Sequence, residues 1–132
     1  MRLLIDTNVF LEILLEQRRA EEAKDLLRKV DQHDFFISDF ALHSVGLLLL
    51  RQRKPEVFRS FLSDMISNAG IIQLGLTPLE MEEVIQASGN FRLDFDDAYQ
   101  YAVAERYGLR IVSFDSDFDR TAQGRLQPVA VV

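Results

Sequence analysis

The sequence predicts a three-layer α/β/α fold, with helices on both faces of a central parallel sheet of four to five strands. Short apolar runs alternate with stretches of helical periodicity along the chain, the pattern of βα units that wind into a parallel sheet. Those runs are apolar at successive rather than alternate positions, as in Leu3-Leu4-Ile5 and Phe35-Phe36-Ile37, so both sheet faces must be covered. Aspartates stand where the runs end or helices begin, at Asp6, Asp39, Asp96, Asp97 and Asp115. The carboxyl ends of parallel strands are where open α/β sheets bind ligands.

Leu3–Ile5 reads as the first strand, and Asp6-Thr7-Asn8 opens a helix with Val9, Phe10, Ile13 and Leu14 on its apolar face. Ala23, Leu26, Leu27 and Val30 give a second helix. Phe35–Ile37 is the next strand, after which Ser38 and Asp39 supply N-cap chemistry for a helix running through Leu47–Leu50. Lys54-Pro55 breaks that helix and starts another, with Phe58, Phe61, Leu62 and Met65 at helical spacing. Asn68-Ala69-Gly70 stops it before a third strand, Ile71–Leu74. Thr77-Pro78-Leu79-Glu80 combines an N-cap, a proline in the first turn and a capping-box glutamate. Ser88-Gly89-Asn90 is expected to end that helix as a loop. Asp94–Asp97 opens a helix that Gly108 terminates, Arg110–Phe114 is the fourth strand, and Pro128–Val132 is expected as a fifth.

At 132 residues, with 48% hydrophobic and 27% charged residues, the chain suits one folded domain over residues 1–132. It has no cysteine, which excludes disulfides, zinc–thiolate sites and a cysteine nucleophile. No apolar run approaches the ~20 residues of a membrane span, and Asp6 ends the first apolar stretch too early for a signal peptide. A cytoplasmic location with no membrane association is the expectation. The net charge of −6 argues against broad electrostatic attraction to nucleic acid. It does not exclude a nuclease whose own carboxylates carry part of that charge. The basic groups Arg18-Arg19, Arg28-Lys29 and Arg51-Gln52-Arg53-Lys54 read as solvated helix ends.

Asp6, the Asp94–Asp97 group and the Asp115–Asp119 group are expected to converge. Carboxylates brought together repel by ~4 kcal/mol per pair at 4 Å with an effective dielectric of 20, so a hard divalent cation or a shared proton must hold them. Asp6-Thr7-Asn8 alone is explained equally by helix capping, whereas Asp94, Asp96 and Asp97 put three acids in four residues, more than capping and the helix dipole require. Asp115-Ser116-Asp117-Phe118-Asp119 lacks the glycine and terminal glutamate of a calcium loop.

The combination is more specific than its parts. Leu4-Ile5-Asp6-Thr7-Asn8, then Asp97-Ala98 on a helix ending Ala104-Glu105-Arg106-Tyr107-Gly108-Leu109, then Ile111-Val112-Ser113-Phe114-Asp115-Ser116-Asp117-Phe118, occur in that order. This order resembles the PIN-domain family, including VapC-type toxins. The resemblance implies a ribonuclease that binds Mg²⁺ or Mn²⁺ in an acidic pocket, acts on RNA, pairs with an antitoxin protein and forms a homodimer. It places Asp6, Asp97 and Asp115 at the family's first, third and fourth acidic positions, as catalytic and metal-binding residues. Thr7, Asn8 and Ser113 match polar positions beside them, and Asp117 matches a further acid that shapes the pocket. Asp96 is an adjacent acid without a match.

The register Ile37–Ser44 puts Ser44, with His43 beside it, where the family carries its second acid. Serine offers no anionic ligand, and histidine suits softer metals. Unless Asp39 or Asp96 takes that place, catalysis is expected to be weak or absent. The alternative is then a PIN-fold interaction module, with Leu47–Leu50 as a partner surface if it is not buried in the core. Two other α/β readings fail. A haloacid-dehalogenase site needs an aspartate where Asn8 stands, and a receiver domain needs an acceptor aspartate where Leu74-Gly75-Leu76 lies.

Overall fold

In the computed structural model of residues 1–132, four strands pair in parallel in the order β3-β2-β1-β4. They are β1 (Arg2–Ile5), β2 (Asp34–Ser38), β3 (Ile72–Leu74) and β4 (Arg110–Val112). The register sets Leu4 beside both Phe36 and Ile111. Side chains along a strand point alternately to opposite faces, so this pairing sorts the apolar runs into two cores. Leu3, Ile5, Phe35, Ile37 and Val112 pack on one face with α1 (Thr7–Leu14), α2 (Ala20–Leu27) and α3 (Asp39–Arg51). The same core takes Phe61 from a π-helical turn, Phe61–Asn68, that continues α4 (Pro55–Ser60). Leu4, Phe36 and Ile111 pack on the other face with α5 (Met81–Phe91) and α6 (Phe95–Tyr107). The three layers are those expected.

Local chemistry starts and stops the helices as the sequence indicates. Ser38 Oγ accepts from Ala41 N–H at 2.9 Å, Asp94 Oδ1 accepts from Asp97 N–H at 3.1 Å, and Glu80 Oε1 accepts from Thr77 N–H at 2.7 Å. Pro78–Glu80 winds as a 3₁₀ turn ahead of α5. Gly108 ends α6 at φ 68°, where a side chain is strained.

Four boundaries differ from expectation. Pro128–Val132 is not a strand: Pro128 has no N–H to give a ladder, and Pro128–Ala130 forms a 3₁₀ turn. Only Leu126 pairs beside β4, as one isolated bridge to Val112, while Val131 turns back into the core and Lys29 Nζ donates to its carbonyl at 2.6 Å. Ser88-Gly89-Asn90 is not a loop, because α5 runs on to Phe91. Arg120, nearly thirty residues downstream, donates to the carbonyls of Phe91 and Arg92 at 3.1 and 2.7 Å and so satisfies acceptors that a helix end otherwise leaves open. Helix α2 stops at Leu27, leaving Val30 in the turns beyond it. Strand β4 ends at Val112 because Ser113 and Phe114 turn towards α1, where Phe114 N–H donates to Asn8 Oδ1 at 3.2 Å. The Leu47–Leu50 block is split. Leu49 is fully buried, whereas Leu47 and Leu50 are 48% and 56% exposed.

Phe61 is the aromatic pivot of the first core, edge-on to Phe10 at 5.2 Å and stacked on Phe58 at 6.5 Å. Phe61→Ala should cost ~3–5 kcal/mol through lost burial and the cavity left behind, read as a lower urea midpoint at unchanged m-value.

Candidate metal centre

Strand β1 delivers Asp6 to the carboxyl edge of the sheet, where its N–H donates to the carbonyl of Val112 at 3.0 Å and ties the ends of β1 and β4 together. The residue is 7% exposed. Oδ1 accepts from Thr7 N–H at 2.8 Å and from Gln100 Nε2 at 2.9 Å, and Oδ2 accepts from Ser113 Oγ at 2.7 Å. Burial raises the pKa of Asp6 above the usual carboxylate value. The donors from Gln100, Ser113 and Thr7 oppose that rise, and the charge of Asp115 adds to it. Asn8 braces the arrangement: Nδ2 donates to Ser113 Oγ at 3.2 Å while Oδ1 accepts from Phe114 N–H. Both ends of the Asn8 amide are therefore committed to the loop after β4.

Asp97 enters from the first turn of α6, and Asp115 and Asp117 from the loop after β4. Asp115 N–H donates to Ser113 Oγ at 2.9 Å, and Asp115 Oδ1 accepts from Asp117 N–H at 2.8 Å. One carboxylate oxygen from each of Asp97, Asp115 and Asp117 lies within 4.8 Å of the others. This proximity has an electrostatic consequence. Burial first, then a hydrogen bond with Asp115, then the charges of Asp115, Asp6 and Asp94, push the Asp97 carboxyl up to about 8. A value that high keeps the Asp97 carboxyl protonated at neutral pH when no cation is bound, which relieves the repulsion within the cluster.

Asp6, Thr7, Asn8, Ser44, Asp96, Asp97 and Asp115 line one cavity of about 220 Å³, together with Leu11, Phe40 and Gln100. Ser113 stands behind it, hydrogen-bonded to Asp6, and Asp117 stands at its rim with Oδ1 3.3 Å from Arg120. Ser44 thus occupies the cavity wall, and Asp96 reaches it too. Asp39 does not. Helical residues advance by ~100° each, so Asp39 and His43 share one face of α3 while Ser44 points elsewhere. Asp39 and His43 line a separate cavity with Leu47 and Leu50. The Asp39 carboxylate accepts from Tyr99 Oη at 2.7 Å and Phe40 N–H at 2.8 Å, and it packs so closely on Gly75 that a Cβ there would lie 2.5 Å from it. As a stand-in for the absent acid, Asp39 is ruled out by this placement.

Gln100 escaped the sequence reading. It is 2% exposed, and its Oε1 has no hydrogen-bond partner. The available signal was an amide three residues after Asp97, on the same helical face, in a stretch of α6 otherwise buried as Ala98, Tyr99, Tyr101, Ala102 and Val103. The donor set around the cavity is oxygen only, with crowded carboxylates and an unpaired amide oxygen. This chemistry fits a hard, hydrated divalent cation, and the nearest histidine, His43, faces away.

The PIN-domain family model matches residues 3–124. The chain belongs to the PIN-domain family. Solved structures similar to this PIN-domain chain share its fold. One is a toxin–antitoxin complex from Klebsiella pneumoniae, 21% identical, covering 95% of this chain and 96% of that one with a TM-score of 0.74. A second is VapC20 of Mycobacterium tuberculosis, a sarcin–ricin-loop-cleaving toxin, 19% identical over 96% and 99% of the two chains, TM-score 0.78. A third is VapBC2 of Rickettsia felis bound to a DNA fragment from its promoter, 14% identical over 96% and 98%, TM-score 0.78. No curated protein matches the chain by sequence.

The raised Asp97 value has a definite sign. Between 3.8 and about 8 the folded state keeps a proton that the unfolded state has lost, so stability falls as pH rises through that window. In EDTA, the unaltered protein should lose up to ~1.4 kcal/mol per pH unit relative to Asp97→Asn. Urea unfolding at pH 5, 6, 7 and 8 measures the slope; parallel curves for the two proteins would refute the proton retained on Asp97.

Proposed function

We propose that this PIN-domain protein is a ribonuclease that hydrolyses RNA phosphodiester bonds with Mg²⁺ or Mn²⁺ bound at the acidic cavity. The observation that carries the reading is the approach of Asp97, Asp115 and Asp117 within 4.8 Å of one another, above a buried Asp6 in the same cavity wall. Asp6, Asp97 and Asp115 would hold the cation, with Asp117 and Asp96 adding negative charge at the rim. When bound, the cation supplies an acidified water and neutralises charge developing on the phosphate. Asp97 would have to give up its proton for the cavity to hold the cation, because ligating carboxylates must be ionised. Thr7 and Ser44 line the cavity, and their hydroxyls would orient phosphate oxygens. Asn8 and Ser113 hold Asp6 and the Asp115 loop in register rather than meeting substrate. No side chain need act as a covalent nucleophile.

An antitoxin protein as partner, assembly as a homodimer and a cytoplasmic setting belong to this same proposal. Support for the partner comes from the toxin–antitoxin complexes among the similar folds. No helix is long and apolar enough to cross a membrane. A second reading, a catalytically weakened module acting through protein or RNA binding, is favoured by Ser44 on the cavity wall and by the exposed Leu47 and Leu50.

Cleavage of single-stranded RNA by the purified protein in Mn²⁺, abolished by EDTA, is the expected result. Asp97→Asn and Asp115→Asn should each lower the rate by two orders of magnitude or more, a loss of at least ~2.7 kcal/mol of transition-state stabilisation. Ser44→Glu should raise the rate by adding a carboxylate to the wall. An inactive natural protein made active by Ser44→Glu would establish the weakened-module reading, and activity that survives EDTA would refute the metal-dependent one.

A further inference from the structure

We infer that Gln100 is a positioning residue of the cation site: its Nε2 sets the Asp6 carboxylate, and its unpaired Oε1 accepts from water carried by the cation. The inference rests on the metal-dependent reading above and assigns a part of it that no acidic residue supplies. Gln100 lies one helical turn after Asp97, so both side chains leave α6 on the side that lines the acidic cavity. Its Nε2 donates to Asp6 Oδ1 at 2.9 Å. Together with Ser113 Oγ on Oδ2, this bond leaves Asp6 one orientation.

The other half of the amide makes no sense as packing alone. The residue is 2% exposed, and Oε1 is buried without any partner. A buried acceptor left unpaired lowers stability, and an apolar side chain of the same length would fill this position on α6 without that loss. Local departures of this kind are expected at functional sites. A carbonyl oxygen can take only a donor, and among groups that suit a wall of carboxylates, a hydrated divalent cation brings donors with it, because Mg²⁺ keeps several of its waters. One amide thereby links the anionic ligand Asp6 to the hydration shell of the ion, as outer-shell partners of metal ligands do elsewhere.

The test compares the full-length protein with Gln100→Met and Gln100→Asn. Gln100→Met preserves side-chain length and removes both polar atoms; Gln100→Asn keeps the amide but withdraws it by one methylene. Mn²⁺ affinity by calorimetry and thermal melting in EDTA are measured on each. In EDTA, Gln100→Met loses the donor to Asp6 together with the unpaired oxygen, so its melting temperature should change little, yet it should bind Mn²⁺ at least tenfold more weakly. Gln100→Asn should also lose affinity. Affinity unchanged in whichever variant folds would overturn the assignment while leaving the metal-dependent reading intact. Affinity that falls only in step with the melting temperature would reduce Gln100 to a structural role and overturn it as well. Absence of Mn²⁺ binding by the unaltered protein would overturn both the assignment and the reading on which it rests.

Discussion

Asp6 accepts hydrogen bonds from Thr7, Gln100 and Ser113, and its own N–H reaches Val112. Through those contacts the end of β1, the start of α1, the middle of α6 and the loop after β4 meet at one buried carboxylate. A group of this kind is costly to bury unless it is fully hydrogen-bonded. The sheet order β3-β2-β1-β4 answers that need, because it makes β4 the neighbour of β1 and so brings Ser113 and Asp115 alongside Asp6. The three-layer architecture and the acidic site are in this sense one arrangement.

Around Asp6 the remaining carboxylates play different electrostatic parts. Burial, then the hydrogen bond and charge of nearby Asp115, push Asp97 up to about 8. Asp117, nearer to solvent, is countered by Arg120. Arg120 also closes the end of α5, so the rim of the site and the frame of the second core lean on the same guanidinium. An array of like charges at the sheet edge is thus held by hydrogen-bond donors behind it and a proton within it. Strongly perturbed carboxyls of this kind cluster at functional sites.

Ser44 gives the site its particular character. It takes a position on the cavity wall but brings no charge, so the wall of α3 is neutral where the walls of β1, α6 and the β4 loop are acidic. Asp96 lies across the same cavity, while Asp39 is withdrawn into a bond with Tyr99. Whatever charge the cavity offers a cation therefore comes from the strand ends and α6.

Much of this was legible in the chain. Paired apolar runs such as Leu3-Leu4-Ile5 and Phe35-Phe36-Ile37 demand a sheet covered on both faces, because side chains alternate along a strand. Ser38, Asp94, Thr77 and Gly108 mark helix ends through bonds that span only a few residues. The order of Asp6, Asp97 and Asp115 along α/β units placed all three at one edge of the sheet. Tertiary structure decided what depends on partners distant in sequence. Arg120 carries α5 through Ser88-Gly89-Asn90, and the β4 edge accepts only Leu126 where a fifth strand was expected. Helical rotation turns Asp39 away from Ser44, and the unpaired oxygen of Gln100 acquires meaning only beside Asp6. Local periodicity and capping reach across three or four residues; the hydrogen bond between Gln100 and Asp6 joins residues 94 apart in sequence, and only packing reveals it.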